Sequence, residues 1–485
     1  MAISSPGLGS GLNVSSIVSQ LVAVEQQPVA LLQKKGNTLQ TKLSVFGQVK
    51  SELAALQDAA NGLMDATTWG AKNLTSDTSA AITGTATSSA LSSTFAVSVD
   101  KLAANQSVKT QFASAYTAPA DDTLSIRLGS WNAAGTSFTA GSAAAVSVSI
   151  KAGDSLATIA ASINAKSASA GVSATVVTSG STQQLLIRGS GTGANAAFQI
   201  VSANGSSPFA YAANETLDGL GQSLSPPQYT DSGSGLLQTQ AAADASITID
   251  GITVTSATNT VSNAIPGVTL NLLAKTSSAA TISVDSDKAT IKAKIQAFQT
   301  AYNTLTADLK TQTAYNAATK VGGPLLGDGT TGGLQTMLRS LVGANGPASS
   351  TIGRLSDLGL QIQADGSLSI NSTKLDAALQ NVDNVRAFFS SASGSGNASE
   401  NGIAKRVYDF AFGALGVSGA VTAHSAAFQK AIDQNNQAID KFNTHIADYQ
   451  KQLLAQYNQL DTKMGTLNSL STFVSSQIAQ WNKTG

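Results

Sequence analysis

Residues 428–481, FQKAIDQNNQAIDKFNTHIADYQKQLLAQYNQLDTKMGTLNSLSTFVSSQIAQW, decide how the rest of the chain is read. Phe428, Ile432, Asn435, Ile439, Phe442, Ile446, Tyr449 and Leu453 follow alternating steps of four and three. Tyr457, Leu460, Met464, Leu467, Ser471, Val474, Ile478 and Trp481 continue the series. Between Tyr449 and Leu460 the steps run four, four, three, a stutter that relaxes left-handed supercoiling. Heptads of this length predict a coiled coil, with Asn435 fixing register at some cost in stability. A seam side chain is worth roughly 1.5–3 kcal/mol when fully buried, so this helix requires a partner.

The other end of the chain supplies one. Asn13 is placed to cap a helix in which Val14, Ile17, Val18, Leu21, Val22 and Val24 keep helical spacing. Pro28 cannot donate to the preceding turn and is expected to break or kink it. The spacing resumes at Leu32, Leu39, Leu43, Phe46, Leu53, Leu56 and Leu63. The candidate assembly seam therefore comprises Leu39, Leu43, Phe46 and Leu53 with Phe428, Ile432, Ile439, Phe442, Ile446, Tyr449, Leu453, Leu460, Met464, Leu467, Val474, Ile478 and Trp481.

From about residue 71 to 287 the period changes to two. Phe95, Val97 and Val99, then Leu124, Ile126 and Leu128, then Val146, Val148 and Ile150 alternate with polar residues, the mark of half-buried strands. Leu156, Ile159, Ala160 and Ile163 predict one helix capped by Asp154 or Ser155, with strands following at 172–177, 185–187 and 198–201. Residues 203–240 read as a linker or long loop. Ile247–Val254 reads as a hairpin turning on Asp250-Gly251. Helices are expected at 291–309, 334–342, 375–389 and 403–415, with a second hairpin at 360–370 turning on Asp365-Gly366.

These periods predict an α+β multidomain chain nested in sequence. Residues 1–40 and 425–485 form a helical coiled-coil terminal region. Residues 41–76 and 285–424 form a mixed helical and hairpin domain. Residues 77–110 and 238–284 form a β-rich domain, into which a further β-rich domain, 111–237, is inserted.

Composition excludes several kinds of chemistry. The chain has 485 residues, 28 basic and 28 acidic side chains, no Cys and two His. Zero Cys removes thiolate zinc sites and thiol catalysis, and zero net charge removes the electrostatic footprint of a nucleic-acid binder. No run of about 18 apolar residues suggests a membrane span, and no basic-then-apolar leader suggests a cleaved signal. His445 reads as a helix-surface or packing residue, and His424 as an exposed one. Gly189–Gly193 resembles a phosphate loop only superficially, Asp121-Asp122 reads as a solvated loop, and Gly327-Asp328-Gly329 is too poor in oxygen ligands for calcium. No catalytic, cofactor-binding or metal-ligating residues are assigned, and no cofactor is expected.

Particular stretches carry a resemblance. Ser5-Pro6-Gly7-Leu8-Gly9-Ser10-Gly11-Leu12-Asn13-Val14, Ile17–Val22 and Glu25-Gln26-Gln27-Pro28 resemble the opening signature of the flagellar hook-associated protein 2 family. Asn13 stands where an acidic residue is common. Residues 259–270, Gly323–Asp328 and Leu358-Gly359-Leu360 are similar to that family's C-terminal region, and residues 154–201 to a small repeat shared among flagellins and hook proteins. The resemblance implies a structural filament cap rather than an enzyme. It implies export through the flagellar type III channel to the extracellular distal filament tip, and a homo-oligomeric ring, usually a pentamer. Its implied partners are flagellin, hook–filament junction proteins, an export chaperone on the C-terminal helix and, for some members, host mucin. The competing readings are another axial flagellar protein, such as a junction protein or flagellin-like subunit, and a mucin adhesin.

Overall fold

The computed structural model describes residues 13–110, 115–133, 135, 137–204, 207–211, 235–347, 350–392 and 400–482. The chain opens with helices α1 (Val14–Glu25), α2 (Gln27–Met64) and α3 (Ala66–Gly70). Strands β1 (Lys72–Ser76), β2 (Ile82–Ala86), β3 (Ser93–Lys101), β4 (Ser107–Lys109), β5 (Asp122–Trp131), β6 (Phe138–Ala140) and β7 (Val146–Ile150) follow. Next come α4 (Leu156–Asn164), α5 (Ser167–Ala170), β8 (Val172–Ser179), β9 (Thr182–Gly189) and β10 (Ala197–Ser202). Strands β11 (Leu237–Gln240), β12 (Ala245–Ile249), β13 (Ile252–Ser256), β14 (Thr260–Ile265), β15 (Val268–Leu272) and β16 (Ala280–Ser286) complete the β-rich stretch. The remainder comprises α6 (Lys288–Thr313), β17 (Tyr315–Asn316), β18 (Val321–Gly322), α7 (Gly329–Gly343), β19 (Leu360–Ile362), β20 (Leu368–Ile370), α8 (Ser372–Ala378), α9 (Val382–Ser390), α10 (Ile403–Leu415) and α11 (Ala420–Trp481).

Two compact units divide the chain: Met1–Trp69 with Lys288–Gly485, and Gly70–Asp287. In the first, the helical core gathers Phe46, Val49, Leu53 and Leu56 of α2 with Ile291, Ile295, Phe298 and Tyr302 of α6 and Ile403, Val407 and Ala411 of α10. All three helices bring apolar residues at three- and four-residue spacing to one face, which is why they bury together. Trp69 closes this core against Phe389, ring centroids 6.2 Å apart, and its indole N–H donates to the Leu63 carbonyl at 2.7 Å.

The second unit holds two cores. The outer one lies between the five-stranded sheet β1-β16-β3-β12-β13 and the three-stranded sheet β14-β15-β2, built from inward residues such as Val97, Val99, Ile247, Ile282, Val268 and Leu270. The inserted one packs α4 against a four-stranded sheet containing β5 with β6, β7 and β10 and another ordered β11-β4-β9-β8. Ser155 caps α4 by accepting from the Thr158 N–H at 3.2 Å. The β12–β13 hairpin turns on Asp250 and Gly251 with φ of 46° and 88°, the left-handed backbone a tight primed turn needs. β1 pairs antiparallel with β16, and the Asp287 N–H donates to the Ala71 carbonyl at 2.8 Å, so the unit's two ends meet.

Some sequence expectations change. The single helix expected at 375–389 is two, α8 and α9, because Asn381 leaves helical geometry and caps α9 by accepting from the Asn384 N–H at 3.0 Å. Part of the expected loop at 203–240 is strand: β11 pairs with β4, which has an open edge to fill; residues 205–206 and 212–234 lie outside the described residues. The break expected at Pro28 comes at Gln26, and Pro28 sits in the first turn of α2, where its missing N–H is not needed. The stretch Ile403–Trp481 is long and apolar enough to cross a membrane by length and composition, with a hydropathy of 1.2 in its most apolar window. The expectation of no span rested on unbroken apolar runs; the average is met by Ala, Val, Phe and Leu interspersed with Gly and polar residues. The chain leaves helical conformation inside that stretch, between Leu415 and Ala420.

Candidate functional site

The terminal helices carry the candidate site. Asn13 caps α1 by accepting from the Ser16 N–H at 3.0 Å. One face of α1 then buries Val14, Val18 and Val22 which, with Val29 of α2, pack against Ile446 and Leu453 of α11. Ile439, Tyr449, Leu454 and Tyr457 close the edges of this cluster. Leu21 and Val24 of α1 and Leu31 of α2 are exposed.

Along the seam, burial falls off towards the C-terminus. Phe46 and Leu53 are fully buried in the helical core of the first unit, where Phe46 meets the Phe428 ring edge-on at 5.8 Å. Leu39, Leu43 and Phe428 are half-buried, and Ile432 is buried. Beyond Tyr457 the seam is largely exposed: Leu460 is 44% exposed, Leu467 57%, Val474 46%, Ile478 51% and Trp481 75%, with Met464 half-buried. Phe442 is exposed as well. Leu470 and Phe473, which the heptad reading passes over, broaden the same apolar surface at 56% and 58% exposure. The signal for them was present: Leu467, Leu470 and Val474 repeat at three and four.

Two polar contacts set how α11 is seated. Asn435 is 4% exposed, and its amide donates to the Leu32 carbonyl of α2 at 3.0 Å while its Oδ1 has no partner among the described residues. Gly36 makes room for it, since a Cβ there would lie 3.0 Å from Asn435 Nδ2. The second contact corrects the reading of His424 as exposed. Its Nε2 lies 2.6 Å from Asp328 Oδ2, and its ring stands edge-on between Phe46 at 5.0 Å and Phe428 at 4.6 Å. Asp328 also caps α7, accepting from the Thr331 N–H at 2.9 Å. Burial works against its charged form, but the Thr331 N–H and the His424 ring outweigh it and hold the carboxyl below its ordinary range.

The remaining candidates have structural surroundings. His445 stacks on Tyr449 at 6.4 Å. Asp121 pairs with Lys151 at 2.9 Å on an exposed surface, and Asp122 accepts from the Ser202 hydroxyl at 2.9 Å. Gly189–Gly193 ends β9 and leads into a short 3-10 turn at Ala194–Ala196, whose first N–H donates to Asp244 at 2.7 Å. Among the described residues no group of three or more His, Asp or Glu is placed to hold a metal ion.

Known proteins share this arrangement. The family pattern described as flagellar hook-associated protein 2 N-terminus matches residues 10–106, and the C-terminus pattern matches 242–469. The flagellin hook IN motif matches 132–189, overlapping the repeat read at 154–201. The A-type flagellar hook-associated protein 2 of Pseudomonas aeruginosa is 29% identical over 96% of this chain and 95% of its own length. Flagellar hook-associated protein 2 of Escherichia coli K12 is 28% identical over 98% of both chains. The crystal structure of the D1-D2-D3 domains of the flagellar cap protein FliD from Escherichia coli superimposes with a TM-score of 0.53 at 26% identity, covering 79% of this chain and 99% of that one. End-to-end relatives, both terminal patterns and a shared fold coincide with the paired terminal helices and inserted β cores, and the chain belongs to the flagellar hook-associated protein 2 family.

Proposed function

We propose that this chain is the structural cap of a flagellar filament, and that the bare apolar stripe on α11 is its docking element. The cap sits at the distal filament tip, promotes flagellin polymerisation and keeps flagellin monomers from escaping. It works outside the cell as a homo-oligomeric ring, with flagellin and hook–filament junction proteins as its neighbours and an export chaperone covering the C-terminal helix beforehand. One observation carries the reading of the stripe: from Leu460 to Trp481 the seam residues other than Met464 and Ser471 are 44–75% exposed large apolar side chains. Monomeric soluble surfaces rarely hold contiguous apolar patches of this kind unless something binds them. An amphipathic helix of this type inserts by anchors at three- and four-residue spacing, the mode suited to helical subunits at a filament end.

The test is complementation of a strain lacking the gene. The wild-type chain is expected to restore long filaments and remove flagellin from the medium. Leu467→Asp with Val474→Asp, both at exposed positions, is expected to leave flagellin leaking while the protein is still made and folded. Leakage with the wild-type chain would remove the cap assignment. Full retention by the double variant would remove the stripe from it.

A further inference from the structure

A cleft of about 560 Å³ opens between α6, α7 and the β19–β20 turn, within the first unit and away from the exposed stripe. Lys310 and Arg339 line it from the two helices, with Thr306, Thr313, Thr336 and the Asp365-Gly366 turn between them. The turn is firmly held. Asn303 donates to the Leu368 carbonyl at 2.8 Å and accepts its N–H at 2.7 Å, and the buried Tyr302 hydroxyl donates to the Gly366 carbonyl at 3.2 Å. Arg339 lies across the turn because Gly366 has no side chain: a Cβ there would be 2.7 Å from the guanidinium. Lys310, Arg339 and Asp365 line the same cleft, so it holds two cations and one carboxylate. Among the described residues neither cation has a carboxylate within 4.0 Å.

The hydroxyls say what else the cleft can recognise. Thr306 donates its proton to the Tyr302 carbonyl at 2.8 Å, Thr313 to Leu309 at 2.7 Å and Thr336 to Gly332 at 3.0 Å. Their protons are committed to their own helices, so their oxygens can serve a ligand as acceptors, although Thr313 already accepts from the Gln335 amide at 3.1 Å and has one lone pair left. Cationic donors at the tip and hydroxyl acceptors along the walls complement a molecule that carries an oxyanion and several hydroxyl donors. A guanidinium grips such an oxyanion with paired N–H groups, and the volume falls in the range of small-molecule sites. We propose that this cleft binds a polyhydroxylated carboxylate of the uronate type, free or at the end of a saccharide chain. This goes beyond the cap reading and does not depend on it.

Calorimetric titration of the full chain at fixed ionic strength tests the assignment, with glucuronate, an oligouronate, acetate, glucose and inorganic phosphate as probes. Glucuronate or the oligouronate is expected to bind about tenfold tighter than acetate, glucose or phosphate, and whichever is tighter identifies the source. Arg339→Gln and Lys310→Gln should each weaken it by roughly fivefold or more. Asp365→Asn keeps the acceptor that Ser367 uses and removes a competing charge, so it should tighten binding by about twofold. Lys151→Gln, in the other unit, should change nothing. Equal binding of acetate or phosphate, failure of both uronates to bind, or an unchanged affinity in Arg339→Gln would overturn it.

Discussion

Asp328 serves two neighbours with one carboxylate. Oδ1 caps α7 through the Thr331 N–H, and Oδ2 meets His424 in the second turn of α11. Its folded pKa is depressed, so the stability it lends is fully present above the unfolded carboxylate value, near pH 4, and is lost as pH falls through the folded value. Asp328→Asn keeps the cap but removes the charge. We expect it to cost about 1–2 kcal/mol at pH 7 and to flatten the acid limb of the stability profile below about pH 5. Urea denaturation at several pH values checks this; parallel profiles for both proteins would count against the pairing. The pair was hidden from sequence reasoning because its members are 96 positions apart and neither lies in a ligand-type spacing. By contrast, Asn13, Ser155 and Asn435 were legible, since a cap or a seam position is defined by near neighbours.

α11 runs 62 residues, about 90 Å of helix at about 1.5 Å per residue. Its N-terminal part leans on α2 and α10, its middle on the valines of α1, and its last turns carry large apolar side chains that are 44–75% exposed. Helical stability in water comes mainly from packing of an apolar face. Hydrogen exchange on the isolated protein should therefore show protection at 428–453 and fast exchange at 460–481. Uniform slow exchange along the whole helix would sink the view that the stripe waits for a partner. Periodicity found this helix and most strands because one burial face imprints one period. It could not divide the seam into covered and bare lengths, because the same spacing serves either partner. It also merged α8 with α9, since the capping switch at Asn381 rests on one polar residue between two apolar stretches.

The whole molecule is read most clearly where the chain crosses between units. β1 enters and β16 leaves as antiparallel neighbours, and the Ala71–Asp287 backbone bond joins their ends. Among the described residues, the hydrophobic partners of the two β cores lie within residues 74–284. Residues 70–287 expressed alone should therefore fold cooperatively, with a thermal transition by circular dichroism and by the emission of the half-buried Trp131. A non-cooperative melt would show that the unit needs the terminal helices. The nested order was visible in the change from period 3.6 to period 2 and back. How the β region divides into two cores was less so, because its strands pair over long separations that only the folded chain reveals.

The meeting of those two ends has a consequence for engineering and for natural variation alike. A segment whose first and last residues are neighbours can be exchanged for a foreign module of any size with closely spaced termini. The helical core of the first unit draws its apolar residues from 45–69 and 291–428. The fold is thus a socket, and what it displays to the surroundings can diverge, be shortened or be replaced by a chosen cargo without redesign of the part that holds on.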